Sequence, residues 1–182
     1  MSRSGPRDLV KSSKPAVVLT LICLVAGTLL SITYDHTAEK IAEAEQAKIN
    51  HALSEIFPSA DFVEEDGYYK ALENEELVGY AAIVEGKGYG GTIKIAVGIR
   101  LDETIKHVRI ISQNETPGLG SRITEDEFLN QFDNKSLDEL KLSREGGKID
   151  AITGATISSE AVVNIVREEF QELVKVLEEG QK

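Results

Sequence analysis

Residues 79–112 read GYAAIVEGKGYGGTIKIAVGIRLDETIKHVRIIS. Three runs in this stretch are rich in β-branched residues: GYAAIVE (79–85), TIKIAVGIR (92–100) and TIKHVRIIS (104–112). Such runs favour extended chain, where a branched side chain packs against its neighbours on a pleated surface. Ile93, Ile95, Val97 and Ile99 alternate, which puts one buried face on the middle strand. The breaks GKGYGG (86–91) and LDE (101–103) are too short for a crossover helix. They suit hairpins, so the sheet is expected to be antiparallel.

On the N-terminal side, residues 35–57 change period. Ala38, Ile41, Ala42, Ile49, Ala52, Leu53 and Ile56 recur at spacings of three and four with Glu and Lys between them, the pattern of an amphipathic helix. Pro58 ends it. Upstream lies PAVVLTLICLVAGTLLSITY (15–34), without a charge. At about 1.5 Å per residue it covers roughly 30 Å, the thickness of bilayer hydrocarbon. This predicts one transmembrane helix.

The 182 residues carry 31 acidic and 20 basic side chains, a net charge of −11. That sign disfavours a nucleic-acid partner. The charge is unevenly spread. Arg3, Arg7, Lys11 and Lys14 precede the apolar run, and the acidic excess follows it. The positive-inside rule then predicts a cytoplasmic N-terminus and an extracytoplasmic remainder, in a single-pass protein of the cell (inner) membrane in contact with lipid. No A-x-A site follows the run, and Ile22 before Cys23 is too large for a lipoprotein signal, so the anchor is read as uncleaved. A single cysteine excludes an intrachain disulfide. The expected organisation is a basic tail (1–14), the span (15–34), a connecting helix (35–58) and an extracytoplasmic domain (59–182).

Beyond the strands, QNETPGLGS (113–121) reads as a polar loop. ITEDEFLNQF (123–132) reads as a helix with Thr124 as N-cap and acids in its first turn. Residues 133–148 look irregular, with a turn at Gly146 and Gly147, and Ile149–Ile152 suits a short strand. A final helix is expected from about Ser158 to Glu179, with Gly180 as C-cap. The fold class is α+β: a mainly antiparallel sheet with flanking helices.

No catalytic residue stands out. His36, His51 and His107 are scattered, too few for a histidine metal site, and none adjoins a candidate nucleophile. His107 reads as an exposed sheet residue. GKGYGG lies between two strands and fails the context of a dinucleotide-binding loop. Two loops are left. In DAITGAT (150–156), Asp150 ends a polar turn, Thr153 and Gly154 make the bend, and Thr156 stands just before the last helix. A helix N-terminus offers unpaired N–H groups and partial positive charge, a seat for a phosphate. Ala155 keeps the approach open, and Ser158 and Ser159 can cap the helix or donate to phosphate oxygens. Ordinary turn and capping chemistry accounts for the same residues. In ETPGLG (115–120), Gly118 and Gly120 flank Leu119, which suits close approach of backbone to a flat group.

D-x-x-[ST]-G-A-T is the motif that flavin transferases modify, and Asp150-Ala151-Ile152-Thr153-Gly154-Ala155-Thr156 matches it at every defined position. With ETPGLG, Gly88-Tyr89-Gly90-Gly91 and the N-terminal anchor, the chain resembles the FMN-binding domain family. Within that family it resembles the G subunit of Rnf ion-translocating electron-transport complexes, and next the C subunit of the sodium-translocating NADH:quinone reductases. The resemblance implies FMN joined through its phosphate to the Thr156 oxygen, recognition or metal binding at Asp150 during transfer, and a turn shaped by Gly154 and Ala155. It also implies a flavin-ring pocket formed in part by Glu115, Thr116, Pro117, Gly118, Leu119 and Gly120. No catalytic or resident metal site is expected. The implied function is electron carriage in a membrane-bound ferredoxin:NAD⁺ oxidoreductase, with the other Rnf subunits and a flavin transferase as partners. The alternatives are a component like the C subunit of a sodium-translocating NADH:quinone reductase, a stand-alone membrane-anchored flavoprotein and a non-enzymatic anchored binding module.

Overall fold

A computed structural model of the chain describes residues 6–180. Helix α1 (Pro6–Ile56) runs without a break, with Pro15 inside it. The chain divides into two units at the Gln46–Ala47 junction. Arg3 of the basic cluster lies outside the described residues.

In the first unit, Lys14–Tyr34 has a mean hydropathy of 2.4 and is nowhere buried. It is long and apolar enough to cross a membrane. Its threonines do not leave hydroxyls unpaired. Thr20, Thr28 and Thr33 each donate to the carbonyl four residues back, at 2.9, 2.8 and 2.9 Å. That satisfies polar groups where no water is available.

The second unit is built on five antiparallel strands in sequence order: β1 (Asp61–Glu65), β2 (Tyr68–Glu73), β3 (Glu76–Lys87), β4 (Thr92–Arg100) and β5 (Ile105–Gln113). The sequence pattern identifies the last three; β1 and β2 are additions. Their turns explain them. Asp66-Gly67 and Asn74-Glu75 all have positive φ, the geometry of tight hairpin turns that match strand twist.

Both faces of the sheet are covered. On one face Ile93, Ile95, Val97 and Ile99 of β4 meet Val162, Val166, Phe170 and Leu173 of helix α3 (Thr156–Gly180). Burial of such aliphatic side chains contributes about 1.5–3 kcal/mol each. The other face is also buried. Ala71, Ala81 and Ala96 lie there against Ala52, Leu53, Ile56 and Phe57 at the end of α1 and just beyond it. Small residues make this possible: a Cβ on Gly98 would run into Ile56.

Several expectations need correction. Residues 123–132 do not form one helix. They form a 3-10 turn (Gly120–Thr124), a single α-turn α2 (Asp126–Leu129) and a second 3-10 turn (Asn130–Phe132). Thr124 does not cap; its hydroxyl donates to the Ser121 carbonyl, and Glu125 holds the cap position. Residues 149–152 form no strand; Ile149 makes an isolated bridge with Leu142. Helix α3 starts at Thr156, two residues early, and includes Gly180. His107 is not exposed: its Nδ1 lies 2.6 Å from Asp133 Oδ1, with 12% of the side chain open to solvent.

Candidate functional site

The first turn of α3 forms one wall of a cleft of about 550 Å³. Thr156, Ile157 and Ser158 of that turn make the wall together with Gly154 and Ala155 just before it. Thr116, Leu119 and Gly120 come from the loop after β5, and Tyr89 from the β3–β4 hairpin. No acidic or basic side chain is among these residues. Tyr89, Ile157 and Leu119 are 67%, 59% and 49% exposed, which gives the cleft an apolar rim. In the first turn of a helix the backbone N–H groups have no intrahelical acceptor. Thr156, Ile157 and Ser158 occupy that turn here.

The bend into α3 is set locally. Gly154 has φ +82°, a conformation that other residues rarely adopt, and a Cβ there would lie 3.1 Å from Leu119 Cδ2. The loop before the helix is fastened by Ser159, which is fully buried. Its Oγ accepts from Ile152 N at 3.0 Å and donates to Ala155 O at 3.0 Å. The Ser159 hydroxyl proton is therefore spent within the loop and cannot be donated to a ligand. The 115–120 loop closes on itself: Ser121 N donates to Thr116 O, and Gly118 N to Ser121 Oγ.

Seven of the twelve sequence-predicted residues meet in the cleft: Thr116, Leu119, Gly120, Gly154, Ala155, Thr156 and Ser158. Pro117 and Gly118 are exposed at the loop tip. Glu115 is buried, at 5% exposure, and does not line the cleft. Asp150 and Thr153 face a separate shallow groove, which they share with Arg122, Glu125, Glu127 and Gln131. There Asp150 Oδ1 accepts from Ser143 Oγ at 2.6 Å, and Gln131 bonds the Asp150 backbone. Beside this groove Arg109 holds the Asp126 carboxyl below the ordinary aspartate range.

Tyr89, which the resemblance includes only as part of the 88–91 segment, and Ile157 are not among the expected site residues, yet each carries a signal in the sequence. Tyr89 is an aromatic residue between glycines, and Ile157 falls off the apolar stripe of α3, so neither has a core to enter.

Comparison with known proteins places the chain in a family. A family model for the FMN-binding domain matches residues 88–170, and one for the RnfG N-terminal region matches residues 9–56. The G subunit of an ion-translocating oxidoreductase complex from Methanosarcina acetivorans is 38% identical, over 86% of this chain and 92% of that protein. The chain belongs to the RnfG family. The G subunit of a proton-translocating ferredoxin:NAD⁺ oxidoreductase complex from Clostridium ljungdahlii is 32% identical, over 85% of this chain and 88% of its own length. Among solved structures, the C subunit of a sodium-translocating NADH:quinone reductase from Parabacteroides distasonis superposes with a TM-score of 0.52. It is 25% identical and covers 60% of this chain and 61% of its own. The RnfG family comprises redox subunits of ion-translocating oxidoreductase complexes, so other subunits of such a complex are partners. With the apolar helix, membership makes this a membrane-bound chain bearing an FMN-binding domain.

Proposed function

We propose that Thr156 carries FMN as a phosphoester and that the chain relays electrons within an Rnf-type ferredoxin:NAD⁺ oxidoreductase. The observation that supports this most is the position of Thr156. It lies in the first turn of α3 and in the same cleft as Leu119 and Tyr89. The residues fit the group. A volume of about 550 Å³ is within the range of cofactor sites. Phosphate suits the helix N-terminus, where N–H groups and the dipole favour an anion. The flat ring suits the apolar side chains of Leu119, Ile157 and Tyr89, which otherwise stand exposed.

When bound, FMN supplies one- and two-electron chemistry; the chain holds and orients it. Esterification joins the Thr156 oxygen to the FMN phosphorus with loss of one water. A threonine hydroxyl needs a base for that step, and neither histidine nor lysine lines the cleft. The chain therefore relies on a separate flavin transferase. The basic residues before the apolar helix support an N-terminus on the cytoplasmic side, with the flavin domain outside, held to the membrane by a single pass. A tethered cofactor cannot be lost there.

Intact mass of protein from its native membrane tests the reading. The expected gain is one FMN less one water, mapped to the peptide around Thr156, with flavin fluorescence that survives a denaturing gel and disappears in Thr156→Ala. Unmodified native protein, or fluorescence retained in Thr156→Ala, overturns it.

A further inference from the structure

Glu115 is a buried carboxylate with both oxygens engaged by the chain itself. Oε1 accepts from the backbone N–H of Gly90 at 3.1 Å, and Oε2 from the hydroxyl of Ser158 at 2.7 Å. These partners lie 25 and 43 residues away and belong to the other two segments that make the cleft. We propose that Glu115 is a positioning residue: its carboxylate ties the 88–91 hairpin and the first turn of α3 to the 115–120 loop, and so shapes the cleft that presents Thr156. The proposal deepens the reading of Thr156 as acceptor and rests on it for its functional part.

The surrounding glycines support this role. A Cβ on Gly88 would collide with Oε1 of Glu115. One on Gly120 would lie 2.8 Å from Oε2 and 2.9 Å from Ser158 Oγ. These two glycines make room for the carboxylate. Through Gly90 the tie fixes the backbone beside Tyr89. Through Ser158 it fixes the helical turn that contains Thr156 and Ile157. All three residues line the cleft, while Glu115 stays beneath it. Ser158 consequently spends its hydroxyl proton on Glu115.

Two substitutions separate geometry from simple loss of structure. Glu115→Ala leaves the Gly90 N–H and the Ser158 hydroxyl without an acceptor. Glu115→Gln keeps both ties: its Oε1 accepts from Gly90, and its amide donates to the Ser158 oxygen. The full chain is made without flavin transferase, and amide hydrogen exchange is followed in detergent. In Glu115→Ala, exchange should rise together in residues 88–91 and 156–160, by about tenfold or more, with β4 unchanged. Glu115→Gln should stay close to the parent. In cells that contain the transferase, the flavin-bearing fraction by intact mass should fall several-fold in Glu115→Ala and be restored in Glu115→Gln.

Unchanged exchange in either segment of Glu115→Ala overturns the proposal, as does a flavin-bearing fraction equal to the parent's. So does a Gln variant as impaired as the Ala variant, since charge rather than the tie would then matter. If Glu115→Ala does not fold, Ser158→Ala takes its place and should raise exchange at 156–160; no change there overturns the tie. Parent protein without flavin at Thr156 would defeat the functional reading separately, and the exchange result would still decide whether Glu115 joins the three segments.

Discussion

The seven residues from Asp150 to Thr156 serve two surfaces of unlike character. Thr156, with Gly154 and Ala155, faces a cleft with an apolar rim and no charged side chain. Asp150 and Thr153 face a groove bordered by Arg122, Glu125 and Glu127. The first surface leaves Tyr89, Leu119 and Ile157 exposed. In the second, Asp150 is already bonded by Ser143 and Gln131. The chain changes sides at Gly154, whose φ is +82°. A short, continuous motif thus combines the proposed attachment point with an acidic residue held on a separate surface.

Substitution at the crossing point should have the largest effect on this division. Gly154→Ala forces a Cβ into a left-handed conformation and toward Leu119, at a cost of about 1–3 kcal/mol. Thermal melting should fall, and the flavin-bearing fraction by intact mass should fall with it. A variant that melts and labels like the parent would show that the two surfaces do not depend on that backbone geometry.

Asp150→Asn should affect only one side. Its side-chain oxygen can still accept from Ser143, so stability should stay within about 0.5 kcal/mol of the parent. If the acidic charge serves maturation, labelling should slow while the melting curve is unchanged. Equal labelling rates would assign Asp150 to structure alone.

The smallest effect concerns the support of the groove. Asp126 precedes Glu127 and Phe128 of the groove wall and pairs with Arg109 on β5. Its folded pKa is depressed by that partner. Stability from the pair is therefore present above the ordinary aspartate range and is lost as pH falls through the lower folded value. Parent and Asp126→Asn should differ slightly in melting temperature near neutrality and converge on acidification. A gap that widens on acidification would reverse the assigned sign.

Where periodicity and local chemistry decided the structure, the sequence was readable. The alternating isoleucines of β4, the uncharged run 15–34 and the stripe of α3 all correspond to elements. Strands β1 and β2 escaped because DFVEE and YYKALE lack a clean alternation; only the Asp66-Gly67 pair marked their turn. The break-up of 123–132 was hidden because Phe128, Leu129 and Phe132 have helical spacing even in a chain that turns through 3-10 geometry. Burial of the second sheet face depends on small residues at Gly79, Ala81, Ala96 and Gly98 meeting a segment far upstream. The cleft itself was half legible. Its two loops were visible as motifs, but the bond from Glu115 to Ser158 joins residues 43 positions apart and has no local signature.

Because α3 begins at Thr156, the proposed ester would do more than hold a cofactor. It would place an anion in the opening turn of a 25-residue helix, where one negative charge is worth about 0.3–1 kcal/mol of stability. Maturation and folding would then reinforce each other, and the finished protein would resist unfolding better than its colourless precursor.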